Sequence, residues 1–294
     1  MNLTSIPCNL CGAQDSERLY EKGGLPIARC RRCSLIYANP RLTQEEIWQR
    51  YSPTYFWDEY MPAHRAAGGE YVEAVHRQRA TPLLNLIEPY RQLNTLLEIG
   101  CAAGFFLKVA AAERWDVIGI EIMAPAVTYA RDTLGLDVRA GVVEEANLPP
   151  ASFDAIVMIE TVEHLLDPAA TLRTVHQLLR PGGVFLVAVP NYNSLMRSLL
   201  GSSWSVLSPA EHLYYFTEHT LERMLAEVGF RSSTFIWHTP GQGHLETLNP
   251  HNSHQPQSWR SRVVRWTVGT FGALLQPLVI RSKRTDRLLA LAVK

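Results

Sequence analysis

Apolar and polar positions alternate through the middle of the chain as short apolar runs separated by amphipathic stretches. The apolar runs have the length and the β-branched content of buried strands: TLLEIG, DVIGIE, LDVRAG, SFDAIVMIE and GGVFLVAVP. The stretches FFLKVAAAE and APAVTYARDTLG have helical spacing, and a further helix is predicted over residues 169–179. This repetition of strand and helix predicts a parallel sheet with helices on both faces.

The flanks of this pattern are also periodic. On the amino-terminal side, Thr43 and Glu46 form the pattern of a capping box before a short helix, and a longer amphipathic helix is predicted over residues 71–87. On the carboxyl-terminal side, HTLERMLAEVGF predicts a helix, STFIWH a strand and RLLALAVK a terminal strand. These elements extend the α/β pattern to the end of the chain.

Composition adds few constraints. With 47% hydrophobic and 19% charged residues, the 294-residue chain resembles an ordinary globular protein. The 28 basic and 28 acidic residues balance, so no overall field attracts nucleic acid, and we expect no nucleic-acid partner. The first residues lack the pattern of a signal peptide, and no apolar run is long enough to span a bilayer. A cytoplasmic location is the resulting expectation.

Four of the five cysteines occur as two C-x-x-C pairs near the amino terminus, at Cys8, Cys11, Cys30 and Cys33. This spacing is typical of a zinc ribbon, in which each pair directs two thiolates at one ion and the intervening chain forms a hairpin. A closed site of this kind is structural, and metal binding supplies folding energy that so short a segment lacks. We therefore predict a zinc ribbon over residues 1–40, a helical linker and cap over 41–90, and a main domain over 91–294.

A glycine turn follows the first strand of the main domain. Glu98, Gly100 and Gly104 form the pattern E-x-G-x-x-x-G between that strand and its helix, where backbone can approach a ligand closely. The next strand ends at Glu121, whose carboxylate is placed to accept hydrogen bonds from two ribose hydroxyls. The spacing differs from those of dinucleotide and triphosphate sites, so a ligand with a single ribose is expected.

The stretch IETVEHL, which follows the fourth strand, contains Glu160, Glu163 and His164. If it is helical, the three side chains face one side and could hold a divalent cation such as Mg²⁺, and His212 could approach the same edge. His164 acting as a metal-free general base is an alternative, as is a structural helix start whose carboxylates face the helix dipole. The sequence leaves these three interpretations open.

Taken together, LLEIGCAAGFF, the EEANLPPASFDAIVMIETVEHL stretch and LLRPGGVFLVAVPN resemble the successive motifs of class I S-adenosylmethionine-dependent methyltransferases. The resemblance implies a Rossmann-like sheet of seven strands, the last one antiparallel, with S-adenosylmethionine lying across the carboxyl ends of the strands. It also implies the cofactor-binding residues by position: Glu98, Gly100, Cys101, Gly104 and Phe105 near the methionine part, Glu121 at the ribose, Ile122, Val142, Val143 and Glu144 around the adenine, and Glu160 near the methyl group.

Two narrower resemblances concern the acceptor. The C-x-x-C pairs before such a domain are similar to a bacterial subgroup whose members often modify sugars or other cell-envelope intermediates. The E-x-x-E-H residues with a later histidine resemble O-methyltransferases of ubiquinone biosynthesis and enzymes that methylate the terminal 2′-hydroxyl of small RNAs. The resemblance thus implies a methyltransferase acting on a small or lipid-linked sugar, envelope or quinol-type intermediate, with Glu160, Glu163, His164 and His212 as candidate catalytic residues.

Alternatives to that function stay open. One is a metal-dependent RNA 2′-O-methyltransferase, and another is a binding protein whose ribbon recognises a macromolecule while the main domain senses the cofactor. Trp204, Tyr214 and Tyr215 could form an acceptor wall or pack in the core. An insertion around residues 250–284 carries basic residues beside an apolar centre within 259–284, which suits peripheral contact with the inner face of a membrane, or plain packing.

Overall fold

The computed structural model describes residues 2–64, 73–238 and 275–294. The amino-terminal part begins with short strands: β1 (Leu3–Thr4), β2 (Ser16–Lys22), β3 (Leu25–Cys30), β4 (Ile36–Ala38) and β5 (Arg41–Leu42). Helix α1 (Gln44–Trp48), a π-helical turn (Tyr55–Tyr60), α2 (Met61–His64) and α3 (Glu73–Ile87) follow. The predicted capping box is confirmed, since the Thr43 side chain and the Glu46 backbone and carboxylate bond reciprocally before α1.

The main domain alternates strands and helices as predicted. Its elements are β6 (Thr95–Ile99), α4 (Phe105–Ala112), β7 (Asp116–Glu121), α5 (Ala124–Asp132), β8 (Val138–Ala140), β9 (Phe153–Ile159), α6 (Pro168–Leu178), β10 (Leu179–Pro190), α7 (Leu195–Leu200), β11 (Tyr214–Tyr215), α8 (Glu218–Glu227), β12 (Ser232–Ile236) and β13 (Arg287–Val293). Seven strands form one sheet in the order β12-β13-β10-β9-β6-β7-β8. Of these seven strands, β13 runs opposite to the other six.

This arrangement confirms the predicted seven-stranded α/β fold with an antiparallel last strand. The central strands are buried on both faces, and β9 shows why: in FDAIVMI every residue but the last is buried. Helices on the two faces bury separate apolar clusters, one including Leu172 and Leu221 and the other Leu107 and Val127. Within the described residues, no helix is long and apolar enough to cross a membrane.

The ribbon is continuous with the main domain. Its strands form a four-stranded sheet in the order β11-β4-β3-β2, so a strand from the main domain completes the ribbon sheet. Tyr214 pairs with Tyr37 and Tyr215 with Ile36. Cys8 and Cys33 belong to the same buried cluster as Leu213 of the main domain. The ribbon therefore shares one core with the cofactor domain.

Opposite the carboxyl edge of the sheet, a buried ion pair fixes the entry to β6. The carboxylate of Asp154, which is fully buried, accepts a hydrogen bond of 2.5 Å from Arg180 Nε. Its other oxygen accepts from the backbone N–H groups of Gln92, Leu93 and Asn94 at 2.7–2.9 Å. This network ties together three segments at the edge that lies away from the ligand-binding turns.

Candidate functional site

The glycine turn after β6 has the close approaches that its sequence predicts. Gly100 and Gly104 adopt φ angles of +74° and +78°, which L-residues with a side chain rarely adopt. A Cβ on Gly100 would lie 2.5 Å from Cγ2 of Thr161. The turn therefore packs directly against the IETVEHL stretch, and it brings the predicted cofactor site and the predicted catalytic stretch into contact.

Two buried carboxylates flank this turn. Glu98 is 5% exposed, and within the described part of the chain its Oε2 has no hydrogen-bond partner. Burial, together with nearby Glu121, holds the pKa of Glu98 well above its ordinary value. Glu121 accepts one hydrogen bond on each oxygen, from the backbone N–H groups of Ala102 and Met123, both at 2.8 Å. Each oxygen of Glu121 keeps a second lone pair for a further donor.

The residues predicted around the methionine and the adenine lie in different environments. Cys101 and Phe105 are buried beside the turn, and Ile122 is 41% exposed, which leaves apolar surface next to Glu121. Val143 is buried and Val142 half-buried, while Glu144 is exposed and accepts a 2.6 Å hydrogen bond from Thr171. Contact of these residues with a cofactor stays a prediction.

Tyr60 of the π-helical turn and Tyr51, which precedes this turn, lie near the buried carboxylates, and sequence reasoning missed both. Burial raises the pKa of Tyr60, and the nearby carboxylates of Glu98 and Glu121 raise it further. Burial likewise raises the pKa of Tyr51, with contributions from Glu121 and Glu163. Tyr60 is thus near the two carboxylates of the cofactor turn, and Tyr51 is near both Glu121 and Glu163. The aromatic segment YSPTYFWDEY was the available signal, but it has no periodicity that marks which rings turn inward.

The helical arrangement on which the cation interpretation of IETVEHL depended is not found. Glu160 has a left-handed φ of +50°, and only Val162–His164 form a short 3₁₀ turn. Because the helix is absent, the three predicted side chains do not share one helical face. Glu160 instead forms an ion pair of 2.7 Å with Arg287 at the start of β13, a partner that sequence reasoning also missed.

The structure brings together a different trio, made of Glu163, His164 and His212. One ligand atom from each residue lies within 4.8 Å of the others, in an arrangement able to hold a metal ion. The two imidazole rings are 4.6 Å apart in an edge-to-face arrangement. His212 therefore lies close to Glu163 and His164, as expected from the sequence. It takes the place of Glu160 as the third candidate ligand.

Backbone carbonyls fix both imidazoles. His164 Nδ1 lies 2.9 Å from the carbonyl oxygen of Glu211, and His212 Nδ1 lies 2.9 Å from that of Val206. A carbonyl only accepts, so each Nδ1 carries the proton and each Nε2 keeps a free lone pair. Burial lowers the pKa of His164 to about 3 and that of His212 to about 4, so both rings are neutral near pH 7.

Glu163 is the third member of the trio, and its carboxyl group is buried. Its side chain is 1% exposed, and neither carboxylate oxygen has a hydrogen-bond partner among the described residues. Burial and the nearby Glu160 carboxylate hold its pKa well above the ordinary value. Two neutral imidazoles held by carbonyls, beside a buried unpaired carboxyl, fit a divalent cation in donor type and in outer hydrogen bonding.

The four ribbon cysteines converge as their spacing predicts. Their sulfurs lie within 4.8 Å of one another, with 3.4 Å between Cys8 and Cys33 and 3.5 Å between Cys11 and Cys30. These separations exceed the disulfide length of about 2.05 Å. They are close to the sulfur separation of about 3.8 Å in a tetrahedral site with Zn–S bonds of about 2.3 Å. The four thiols fit a closed zinc site.

Two further predictions concern the aromatic segment after the fifth strand and the apolar segment near the carboxyl terminus. Trp204, Tyr214 and Tyr215 are at most 3% exposed, so they pack in the core, and the acceptor-wall interpretation is wrong. The predicted membrane-contact segment, 259–284, lies largely outside the described residues. Of it, residues 275–281 form a helix on which Leu278 is 65% exposed.

Comparisons with known proteins agree with the observed fold. Residues 71–233, more than half of the chain, match a family described as a methyltransferase domain. A probable S-adenosylmethionine-dependent methyltransferase of Mycolicibacterium smegmatis is 38% identical over 97 residues, which cover 33% of this chain and 38% of that protein. A ubiquinone biosynthesis O-methyltransferase of Cereibacter sphaeroides is 31% identical over 123 residues, covering 40% of this chain and 49% of that protein. The matches thus span less than half of either relative.

Solved structures with low sequence identity share the fold. A SAM-dependent methyltransferase from Archaeoglobus fulgidus gives a TM-score of 0.55 at 18% identity, over 83% of this chain and 100% of that one. The phosphoethanolamine N-methyltransferase 2 of Haemonchus contortus, in complex with S-adenosyl-L-methionine, gives 0.57 at 16% identity, over 95% of this chain and 71% of that one. Both likenesses concern the architecture of the sheet and its helices.

Proposed function

Because the chain belongs to the methyltransferase domain family, that of the class I S-adenosylmethionine-dependent methyltransferases, we propose that it transfers a methyl group from this cofactor to a hydroxyl oxygen of a small acceptor. The observation that carries the proposal is the contact between Gly100 and Thr161. It sets the trio of Glu163, His164 and His212 beside the turn at which the family binds its cofactor. We call this trio the imidazole–carboxylate cluster.

The cofactor fits the groups around the turn. The unpaired Glu98 oxygen suits the ammonium group of the methionine part, and the remaining lone pairs of Glu121 suit two ribose hydroxyls. The exposed face of Ile122 offers apolar surface to the adenine. S-adenosylmethionine supplies the electrophilic methyl group when bound. The protein aligns the acceptor with that methyl group, and alignment alone contributes several kcal/mol, on the order of 100-fold or more in rate.

An oxygen acceptor is favoured by the names of relatives and by the cluster. Several relatives are named as ubiquinone biosynthesis O-methyltransferases. A hydroxyl is a weak nucleophile until its proton is removed, whereas the lone pair of a neutral amine can attack the methyl group directly, with proton loss afterwards. The imidazole–carboxylate cluster is suited to that removal. We include quinol-type, sugar and lipid-linked hydroxyls as acceptor classes, and we propose no nucleic-acid partner because the net charge is balanced.

The cluster suits a divalent cation better than a metal-free base. A general base works best with a pKa near the working pH, but the pKa of His164 is about 3. A neutral imidazole with a free Nε2 is, in contrast, the form that binds metal. A bound divalent cation would supply positive charge that lowers the pKa of the acceptor hydroxyl. Glu163 would bind it as a carboxylate, and the Glu211 and Val206 carbonyls would keep the rings oriented.

Other residues have supporting parts. Glu160 and Arg287 form a pair at the same edge, each 37% exposed, so they can contact an acceptor or screen the buried Glu163. Arg50 bonds Glu211 at 2.7 Å and thereby ties the segment after α1 to the loop that orients His164. The carboxylates of Glu121 and Glu163 both raise the pKa of Tyr51, so its phenol lies near both parts of the site.

The proposal is tested by product identification. Extracts are incubated with the protein and methyl-labelled cofactor, and labelled products are identified by mass spectrometry and by the bond that carries the label. We expect a methyl ether on a small or lipid-linked molecule. Label on nitrogen or carbon would overturn oxygen transfer. Micromolar cofactor binding without labelled product, using purified quinol, sugar and RNA acceptors as well as extract, would favour the cofactor-sensing alternative instead.

A further inference from the structure

We propose that the zinc ribbon, together with strand β5 that follows it, is a positioning element for the imidazole–carboxylate cluster, and that Asn9 and Arg41 are the residues through which it acts. The proposal assigns the ribbon a role inside the catalytic machinery, in place of the recognition of a separate macromolecule. It rests on the proposed function for its effect on turnover. The geometric part rests only on contacts between the ribbon and the two segments that carry the histidines.

The first contact comes from the zinc-binding turn itself. Asn9 lies between Cys8 and Cys11, and its amide donates to the Asp167 carboxylate at 2.8 Å. Its oxygen accepts from the backbone N–H of Ala169 at 2.9 Å. Asn9 thereby supports the N-terminus of α6, whose cap residue is Asp167. This helix begins a few residues after His164. The zinc-binding turn therefore helps to fix the position of the chain just after His164.

The second contact comes from the strand after the ribbon. Arg41 is buried, and its guanidinium donates at 3.1 Å to the Tyr214 hydroxyl and at 3.0 Å to the Leu166 carbonyl. The Tyr214 hydroxyl donates to the same carbonyl at 3.2 Å. One planar side chain thus joins the segment after His164 to the segment after His212. The compact ammonium of lysine does not reproduce the two separate, fixed N–H donors that the guanidinium presents here.

The third contact is a backbone ladder that crosses from ribbon to cluster. Strand β11, which begins two residues after His212, pairs with β4 of the ribbon. Between them, the N–H of Ala38 donates to the Leu213 carbonyl at 2.9 Å, and the N–H of Leu213 donates to the Glu163 carbonyl at 2.8 Å. Backbone hydrogen bonds therefore link the ribbon strand β4 to Leu213, next to His212, and link Leu213 to Glu163.

These contacts explain why the ribbon is built into the core. Both segments that carry the cluster lie in loops, where side-chain positions depend on whatever anchors the loop. The outward arginines Arg18, Arg29 and Arg31 each lie within salt-bridge range of an acidic residue of the ribbon. Their charge is therefore largely compensated locally, whereas Asn9 and Arg41 both point inward to the segment after His164.

The test compares Arg41→Met and Asn9→Leu with a matched control, Arg31→Met. Arg31 lies on the exposed side of the ribbon and pairs with Asp15, so the control makes the same chemical change away from the cluster. For each full-length variant we would measure zinc content, melting temperature, cofactor affinity, kcat and the imidazole nitrogen NMR signals. The NMR signals report the tautomers of His164 and His212 and need no acceptor.

We expect the Arg41→Met and Asn9→Leu variants to keep one zinc per chain and cofactor affinity within about twofold. Their kcat should fall by 10- to 100-fold, on the order of the loss from a misplacement of about 1 Å. The Nδ1–H signals of the histidines should shift or broaden. Arg41→Lys, which keeps the charge and one donor position, should recover part of the change. The control should match the wild type throughout.

Two results would overturn the proposal. One is wild-type kcat and unchanged histidine signals in both variants. The other is a loss of kcat that disappears when activity is expressed per folded, zinc-containing molecule. If the wild type itself shows no methyl transfer, the proposed function fails, but altered histidine signals in the variants alone would still support positioning by the ribbon.

Discussion

Within the described residues, two clusters of side chains have an arrangement able to hold a metal ion, and they differ in almost every physical respect. The ribbon cluster has four thiols, Cys8, Cys11, Cys30 and Cys33, which close a tetrahedron and leave no position for a substrate. The imidazole–carboxylate cluster offers three ligand atoms of mixed type beside the cofactor turn. A set of three leaves coordination positions open for an acceptor. The comparison shows that ligand number and location distinguish a site suited to a structural metal from a site suited to a catalytic one.

The two clusters also differ in how their protons are held. Burial raises the pKa of Cys8 to about 11, so a metal must displace protons from thiols in the ribbon. In the second cluster the imidazoles are already neutral, and Glu163 alone has a raised pKa. Metal binding there releases a proton only from Glu163. The following predictions test this contrast in order of decreasing effect.

The largest effect is expected for Cys30→Ser. Loss of one thiolate should abolish zinc binding, whose apparent free energy in small zinc modules is about 10 kcal/mol, and should leave little folded protein. Zinc content and thermal unfolding measure this. Cys101→Ser is the matched control, because Cys101 belongs to neither cluster, and it should keep one zinc per chain. Full zinc retention in Cys30→Ser would contradict a four-thiolate site.

A smaller loss of stability is expected for Asp154→Asn, which affects neither cluster. Burial pushes the pKa of Asp154 up, but hydrogen bonds from Arg180 and the backbone outweigh it and hold that pKa below its ordinary value. Breaking this buried pair should lower the free energy of unfolding by about 3–5 kcal/mol at pH 7.

The pH dependence of that loss follows from the sign of the shift. A depressed folded-state pKa stabilises above the unfolded value of about 3.9, and the stability is lost as the pH falls through the folded value. Urea unfolding from pH 7 to pH 2 should therefore show the wild type and Asp154→Asn converging at the acid end. A difference that is constant with pH would show that the pair contributes through packing alone.

His164→Ala tests the imidazole–carboxylate cluster. We expect kcat to fall by about 100-fold or more, because the cation loses one of three ligands, while zinc content and cofactor affinity stay at wild-type values. Steady-state kinetics with saturating cofactor, together with zinc analysis, measure this. His219→Ala, on the first turn of α8, serves as a matched control. Simultaneous loss of zinc in His164→Ala would show that the two clusters are not separate sites.

The smallest effect is expected on cofactor affinity, from a change at the cofactor turn beside the imidazole–carboxylate cluster. Glu121→Gln should weaken cofactor binding by about 10- to 100-fold, since a charge-assisted acceptor contributes about 1.5–3 kcal/mol. Calorimetric titration with S-adenosylmethionine measures the affinity. Glu113→Gln removes a charge from an exposed carboxylate paired with Arg77 and should bind normally. Equal affinity of the two variants would remove Glu121 from the ribose site.

The two clusters also show what sequence could predict. The thiolate cluster and the strands were predictable because C-x-x-C spacing and apolar runs are local patterns, and Gly100 was predictable because its turn has a local motif. For the imidazole–carboxylate cluster, the helical spacing selected Glu160 as the third ligand, whereas the structure groups His212 with Glu163 and His164. Glu160 adopts a left-handed conformation, so the helical spacing that selected it does not exist. His212 reaches the cluster through pairing of β11 with the ribbon, a contact between distant segments.

Other residues were unpredictable for the same reason. Arg287 meets Glu160 only because β13 inserts beside β10 in the sheet. Asn9 and Arg41 contact the segment after His164 across more than a hundred residues of sequence. Their types are common in loops and carry no spacing signal. The predicted boundaries at residues 40 and 90 stay predictions, although the shared core shows how closely the ribbon and the main domain pack.

The most direct test of the central claim is turnover under control of the second metal. Protein with one retained zinc per chain is freed of other divalent cations and assayed with methyl-labelled S-adenosylmethionine and a quinol-type acceptor. The account predicts turnover that is negligible without added cation, is restored by Mg²⁺ or Mn²⁺, and is not restored in the Glu163→Gln variant. Turnover that is equal with and without cation, at unchanged zinc content, would contradict it.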